Sequence, residues 1–324
     1  MIWLTWRQQR FEAALAGLLL GAGVAILVIT RQAIIADFDA LGIPSCLRGL
    51  SDANTCASAY QAFKDNFGAQ ETLLAALTYL PVLVGVVLAA SIAVEMEQGT
   101  YHLSWAQSVT RGRWTLIRLG LPILFGLVVT GSIAGVTSWW MQPANEAQGP
   151  LRPGTFDVQG ILPPAYMLLA FAITAAAGVI LRRTVPAVGL GIAAGAGIHL
   201  AVQTWLRPNY VSPLSNVWTT GPAPYGPQDW VVQGGAGASG YVYVDPTGGQ
   251  HSIEQVQSIC GQVVDAQSKD LWSSCLQSHH LGELVKWQPP GRFWEFQAIE
   301  SILVIGIAVA LIVLSSWWLR SRTV

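Results

Sequence analysis

Charged residues are scarce in this chain: Asp, Glu, Lys and Arg together make up 11% of its 324 residues, whereas 52% are hydrophobic. Six apolar runs lack charged residues entirely, although a soluble helix of their length needs a polar face. About 20 apolar residues in a helix cross the hydrocarbon core of a bilayer. The composition therefore excludes a water-soluble globular protein and predicts six spans: Ala13–Thr30, Leu73–Val94, Leu119–Met141, Ile161–Leu181, Val185–Leu206 and Ser301–Leu319.

The chain also lacks three common motifs of catalysis. It has no Gly-x4-Gly-Lys-Ser/Thr phosphate loop, no His-Glu-x-x-His zinc motif and no Gly-x-Ser-x-Gly nucleophile elbow. The adjacent pair His279 and His280 is a solvated pair rather than a metal site in this interpretation, because neighbours on a helix point in different directions. We therefore expect no catalytic residue, no metal site and no cofactor bound by this chain.

Arginine placement predicts the orientation, since cytoplasmic loops of membrane proteins are enriched in Lys and Arg. With both termini in the cytoplasm, short inner segments carry nine arginines, and the positive charges outside are spread over longer segments. We therefore expect a multi-pass protein located in the cell membrane. The inner arginines are Arg7, Arg10, Arg111, Arg113, Arg118, Arg182, Arg183, Arg320 and Arg322.

The segments between the spans suggest an all-α polytopic protein in three parts. Residues 1–206 hold an interfacial helix, five spans and an outer loop at 31–72; residues 207–297 form a small extracytoplasmic domain; residues 298–324 hold the last span and a cytoplasmic tail. The interfacial helix is predicted from apolar and polar residues that alternate around Trp3, Trp6, Arg7 and Arg10. Within the outer segments we expect an amphipathic helix at Ala57–Phe67, a Pro and Gly linker at 142–160, a strand at Tyr241–Val244 and helix over Ser252–Leu284.

All four cysteines fall in segments assigned to the outside, where disulfides persist. Cys46 with Cys56 and Cys260 with Cys275 is the natural local pairing, although four cysteines allow three connectivities and the sequence does not choose among them. Four free thiols are the alternative. A zinc site is disfavoured because neither pair has Cys-x2-Cys spacing.

The turn after the second span concentrates polar residues at a membrane edge. Glu95 and Glu97 mark where the helix leaves the hydrocarbon, Gly99 permits a turn, and residues 101–109 can form a short surface helix. Arg111, Arg113 and Arg118 then return the chain to the bilayer. This turn is either a docking surface or an ordinary polar loop.

Two segments resemble permease subunits of ABC-2 type ATP-binding cassette exporters, in the versions found in actinobacteria. One is Glu95-x-Glu97-x-Gly99-Thr100 with its continuation His102 to Trp114; the other is Gly291 to Glu300, which leads into the last span and its Trp-Trp-Leu-Arg ending. Six spans behind an amphipathic helix agree with that architecture.

The resemblance implies half of a transport channel. We expect a homodimer that works with two copies of a separate ABC ATPase, which binds ATP and Mg, and we expect no nucleic acid partner. The implied ATPase-coupling residues are Glu95, Glu97, Gly99, Thr100, Tyr101, Trp105, Arg111 and Arg113, with the interfacial helix of Trp3, Trp6, Arg7 and Arg10 beside them.

The cargo would pass between two copies along the second and fifth spans, and Pro81 of the second span and Pro122 of the third could bend their helices enough to open a lateral path. Because no charge lines these spans, a hydrophobic or amphipathic cargo such as a drug, peptide or lipid is expected. Intramembrane His199 is expected to be neutral and hydrogen-bonded. Two alternatives remain: a sensing or immunity protein that binds a ligand through residues 207–297, and a polytopic membrane enzyme built on Glu95, Glu97 and His102.

Overall fold

The structure, a computed structural model, describes residues 25–99, 111–219, 221, 223–235, 240–262 and 266–322. Ten helices are labelled here in chain order within those ranges. They are α1 (residues 25–40), α2 (Ile43–Leu47), α3 (Ala53–Leu77), α4 (Leu80–Gln98), α5 (Arg111–Gln148), α6 (Leu162–Leu181), α7 (Thr184–Ala201), α8 (Ile253–Cys260), α9 (Ala266–Ser278) and α10 (Phe293–Arg322).

Five of the described helical stretches are long and apolar enough to cross a membrane: Leu80–Gln98, Leu116–Gln148, Leu162–Leu181, Thr184–Asn209 and Pro290–Trp318. The chain is thus a polytopic membrane protein by length and composition. The first predicted span, Ala13–Thr30, lies outside the described residues except for 25–30, which are helical.

Helix α6 is the centre of the membrane-spanning bundle. It packs against α4, α5, α7 and α10, and most of its residues are buried. Its neighbours leave apolar side chains such as Leu116, Val87 and Val185 exposed, as helices that border lipid do. Gly191 of α7 allows close approach, because a Cβ there would collide with the Thr174 hydroxyl of α6.

The second predicted span, Leu73–Val94, is divided rather than continuous. Helix α3 ends at Leu77, and α4 begins at Leu80 with Pro81 in its first turn. Proline suits that position, since its missing N–H would have no helical partner there. The amphipathic helix expected at Ala57–Phe67 is present as part of the longer α3, which Asp52 caps by accepting hydrogen bonds from the amides of Asn54 and Thr55.

The linker predicted for residues 142–160 was wrong over its first half. Helix α5 continues through Pro143 to Gln148, and a short 3-10 helix, Phe156–Val158, precedes α6. The extension is stabilised by an apolar cluster in which Trp140, Met141 and Ala144 of α5 pack on Phe63 and Phe67 of α3. Tertiary packing therefore overrides the local signals of Pro and Gly.

The segment between α7 and α10 contains a five-stranded antiparallel sheet, which the predicted all-α class did not include. Its strands are β1 (Leu214–Trp218), β2 (Trp230–Gln233), β3 (Val242–Val244), β4 (Gln250–Ser252) and β5 (Gly282–Gln288). β1, β2 and β3 all pair with β5, and β4 pairs with β3. The predicted strand at Tyr241–Val244 is confirmed as β3.

Helix predicted over Ser252–Leu284 is correct for α8 and α9 and wrong at its end. Gly282 starts strand β5, which is held by pairing with strands far away in sequence. Ser252 and Gln255 form a capping box that starts α8. Tyr243, Val256 and Leu281 form a small core between the sheet and the two helices.

Both local cysteine pairs are bonded in the structure. Cys46 joins Cys56 between α2 and α3, and Cys260 joins Cys275 between α8 and α9. The two bridges lie in the parts expected outside the membrane, and each closes a short loop.

Tryptic digestion without reduction tests this connectivity. Cleavage after Arg31, Arg48 and Lys64 should release residues 32–48 linked to 49–64, and cleavage at Lys269 and Lys286 should link 270–286 to the peptide that ends at Lys269. Mass spectrometry before and after reduction reads both pairs. A peptide that joins Cys46 or Cys56 to either of the other two cysteines would contradict the pairing.

Candidate functional site

Three helix ends meet around the two glutamates of the predicted docking turn. Arg118 of α5 forms an ion pair with Glu95 of α4, and Glu97 accepts a hydrogen bond from the backbone amide of Thr184, the first residue of α7, at 2.8 Å. Gly99 adopts the left-handed conformation, φ 69°, that ends α4. The two carboxylates therefore connect α4 to α5 and to α7 at one end of the bundle.

Other predicted coupling residues lie outside the described residues. These are Thr100, Tyr101 and Trp105, with Trp3, Trp6, Arg7 and Arg10 of the interfacial helix. The backbone of Arg111 and Arg113 lies in the first turn of α5. Their grouping with Glu95 and Glu97 stays a prediction.

At the opposite end of the bundle, the side chain of Arg207 is completely buried between two carboxylates. Its guanidinium donates to Glu300 of α10, Nε to Oε2 at 2.9 Å and Nη2 to Oε1 at 2.8 Å. Nη2 also contacts Asp157, which precedes α6. The guanidinium lies 4.5 Å from the ring centroid of Phe156. A bidentate pair with an aromatic face beneath it suits arginine and not lysine.

Two tyrosines complete the coordination of Glu300. Tyr166 of α6 donates its hydroxyl to Glu300 Oε1 at 2.8 Å, and Tyr210 donates to Oε2 at 3.3 Å. Burial raises the pKa of the Tyr210 hydroxyl, so this group is a donor at neutral pH. We call Asp157, Arg207, Glu300, Tyr166 and Tyr210 the buried charge cluster.

Arg207 controls the ionisation of Asp157. Burial acts to raise the pKa of this carboxyl, but the positive charge of Arg207, with smaller contributions from His199 and from hydrogen bonds, outweighs burial and holds the pKa below its usual value. Asp157 is therefore ionised at neutral pH. The contact with Arg207 thus favours the charged form of Asp157 despite its complete burial.

His199 packs against this cluster without joining its hydrogen bonds. Its ring lies 4.4 Å from that of Tyr166 and 5.6 Å from that of Tyr79, and Nε2 is 3.6 Å from Asp157 Oδ1. Neither ring nitrogen has a hydrogen-bond partner in the described chain. The expectation of a hydrogen-bonded histidine was therefore wrong: Asp157 Oδ1, which lies 3.6 Å from Nε2, is already in contact with Nη2 of Arg207.

The buried charge cluster was missed in the sequence, although a signal existed. Asp157 and Glu300 each stand just before an apolar run, and Arg207 follows another one directly. The predicted topology places all three boundaries on the same side of the membrane. Charges of opposite sign at one depth of a bundle are expected to pair.

In the part of the chain that the structure describes, no group of three His, Cys, Asp or Glu side chains could hold a metal ion. His279 and His280 lie at the turn after α9. What the geometry supports at both ends of the bundle is mechanical connection between helices.

A model of the family described as ABC-2 membrane transporter related matches residues 17–207, more than half of the chain. The chain belongs to the ABC-2 membrane transporter-related family. The members are membrane components of transport systems, generally without a nucleotide site of their own, and they typically work with an ABC ATPase. Searches of curated proteins and of solved structures found no match.

The family match ends at Arg207, so the sheet and α10 lie beyond it. Asp157 and Arg207 belong to the matched part, whereas Glu300 belongs to the last helix. The buried charge cluster thus joins the ABC-2 core to the helix that follows the sheet, and hydrogen bonds of Gln297 with the backbone of Phe156, Gln159 and Ile161 add to this connection.

Replacing Arg207 with Leu should strongly destabilise the protein. The change leaves two carboxylates buried without a cation, and breaking a buried pair typically costs about 3–5 kcal/mol. We expect a large drop in the thermal unfolding midpoint in detergent. Arg48→Leu is the control, because Arg48 is exposed and its Nε donates to the carbonyl of Pro44, four residues away in the same short helix turn. Equal midpoints for the two variants would show that the cluster contributes nothing to stability.

Proposed function

We propose that this chain is the permease subunit of an ABC exporter of the cell membrane. Two copies would form the transport path, and two separate ATPase subunits would bind ATP and Mg in the cytoplasm. Membership of the ABC-2 family supports this function, as do the five apolar helices. Both termini and the α4–α5 turn would then face the cytoplasm.

The observation that carries the mechanism is the joining of three helices by Glu95 and Glu97. A displacement of the α4–α5 turn by a partner would move α4 directly, α5 through Arg118 and α7 through the amide of Thr184. Nucleotide-driven closure of the ATPases can favour one arrangement of the permeases only if it contacts the two arrangements differently. Because three helices share the contact at Glu95 and Glu97, a change in their arrangement would change the surface that the ATPases contact.

The cargo would be hydrophobic or amphipathic and would move between the copies along the exposed faces of α4 and α7. A groove of about 420 Å³ between α4 and α5 supports a lateral path from the lipid. Val87 and Leu88 line one wall, and Leu121, Pro122 and Phe125 line the other, while Ser91 and the ion-paired Arg118 add polar groups to the lining. Of the two prolines expected to bend spans, Pro122 lies inside its helix, whereas Pro81 begins one.

The first experiment is copurification of the chain with lone ABC ATPases encoded in its own genome, followed by measurement of ATP hydrolysis in nanodiscs. A stoichiometric complex whose hydrolysis responds to the permease would support the proposal. A well-folded chain that binds none of these ATPases would contradict it.

Alanine substitutions of the two glutamates, followed by a charge swap, then test the coupling role within that complex. Glu95→Ala with Glu97→Ala should leave membrane insertion intact and lower permease-dependent ATP hydrolysis about tenfold or more, the size of a typical coupling energy of 1–3 kcal/mol. Glu95→Arg with Arg118→Glu should recover most of the loss if the ion pair fixes the geometry of α4 and α5.

Matched controls come from the other end of the bundle. Glu146 and Glu295 are exposed glutamates on α5 and α10, far along the helix from the coupling turn. Their replacement with Ala should leave hydrolysis unchanged. If the double variant of Glu95 and Glu97 hydrolyses ATP and transports cargo as the controls do, the coupling assignment is contradicted.

A further inference from the structure

A cavity of about 380 Å³ lies at the end of the bundle that carries the sheet, where the membrane-spanning helix α5 ends. Its walls come from three parts of the chain: Tyr60 and Lys64 of α3, Gln148 at the end of α5, and Trp230 at the start of β2. This volume falls in the range of small-molecule sites. It is separate from the lipid-facing groove and from the buried charge cluster.

The walls of this cavity are fixed to one another. Gln228 donates from Nε2 to the backbone carbonyl of Glu146 at 2.5 Å. Gly149 has φ 79°, and a Cβ at this position would collide with the Gln228 backbone. Phe63 and Phe67 attach α3 to α5 through the apolar cluster described above. The cavity therefore exists as a preformed site rather than as a gap between loose segments.

Gln148 lines the cavity with an amide that nothing in the described chain satisfies. The residue is only 6% exposed, and neither Oε1 nor Nε2 has a hydrogen-bond partner. Buried polar groups are almost always hydrogen-bonded, so an unpaired donor and acceptor on one side chain require explanation. A ligand that offers an acceptor beside a donor, as a peptide unit does, would satisfy both atoms.

The charges around the cavity favour an anion. Lys64 is exposed at the wall, and among the described residues it has no ion pair or hydrogen bond. Arg152 is a second cation of the lining, so positive charges outnumber the one carboxylate there, Asp229, which accepts a hydrogen bond from the amide of Gly226 at 2.7 Å. Lys64 thus remains as an available cation beside the unpaired amide.

The remaining lining is aromatic and rigid. Tyr60, Tyr225 and Trp230 contribute rings, and Pro153 and Pro227 contribute fixed backbone. Burial raises the pKa of Tyr60, so its hydroxyl is a donor at neutral pH. Aromatic rings with polar edges can contact an apolar side chain of a ligand with their faces and its polar backbone groups with their edges.

We propose that this cavity binds the free carboxyl terminus of a short peptide, with its last peptide unit paired to Gln148 and its carboxylate paired to Lys64. The inference goes beyond the transport role and does not depend on it. Binding at this site requires neither an ATPase nor movement of cargo, so the two proposals can fail separately.

The test uses the full chain in nanodiscs and two pools of randomised N-acetylated tripeptides, one with free carboxyl termini and one amidated. Peptides retained after rapid filtration are quantified by mass spectrometry. The wild type should retain the free-acid pool about tenfold better than the amidated pool, the scale of one charge-assisted hydrogen bond. Retention no greater than that of empty nanodiscs, or equal retention of the two pools, would overturn the proposal.

Substitutions then assign the two contacts. Gln148→Leu should abolish retention of both pools, and Lys64→Gln should remove only the preference for the free acid. Gln142→Leu is the matched control on the same helix, because Gln142 is exposed and its amide already donates to Glu146. A Gln148→Leu variant that retains peptides as well as the control does would overturn the assignment.

Thermal unfolding separates a binding role of Gln148 from a structural one. Because its amide is unpaired, Gln148→Leu should unfold no lower than the wild type while losing retention. If that variant does not fold, Gln148→Glu provides the second test, since it keeps the shape, removes the amide donor and repels a carboxylate. Undiminished retention of free-acid peptides by Gln148→Glu would refute the proposed contact.

Discussion

A single guanidinium, that of Arg207, balances two carboxylates that the chain supplies 50 residues before it and 93 residues after it. Charges at the edge of a hydrocarbon layer are costly unless they are paired and hydrogen-bonded. The segment before α6, the end of α7 and the start of α10 must therefore meet at one point. This meeting point also determines where the sheet lies, because its five strands lie between Arg207 and Glu300 in the sequence.

The two ends of the bundle are connected in different ways. At the sheet end the ions are fully buried, so their separation would expose unpaired charge to an apolar interior. At the other end, Arg118 keeps 49% of its side-chain surface and Glu95 keeps 17%. Water can replace the partner of an exposed ion at little cost. The bundle is thus joined by fully buried charges at the sheet end and by a partly exposed ion pair at the other end.

The helices were predictable from the sequence because lipid removes the need for a polar face, and uncharged runs of about 20 residues reveal this directly. The boundaries were less predictable. Pro143 and Gly149 suggested a linker, yet α5 reaches Gln148 through packing with phenylalanines from another helix. Strand β5 was missed because the strands that pair with it lie far away in sequence, and local residue preferences do not reveal such pairing.

The residues of the candidate sites were also predictable only where neighbouring sequence marks them. Glu95 and Glu97 were identified because they stand beside a span in a short motif, and their contacts with Arg118 and Thr184 also form at the ends of neighbouring helices. The buried charge cluster required knowledge of which span ends share a depth and face one another. Arg207 was not singled out, because the apolar run before it shows that it stands at the end of a span but does not show which charges it faces.

The turn that precedes Arg207 gives the fifth span a fixed length. Val202–Leu206 forms a π-helix, which holds a surplus residue within the turn, and a short 3-10 helix follows at Arg207–Asn209. An ordinary α-helix advances each residue by about 100° around its axis. Loss of one residue from this turn would swing the guanidinium from the protein interior toward lipid. Related chains should therefore tolerate substitutions here far better than insertions or deletions.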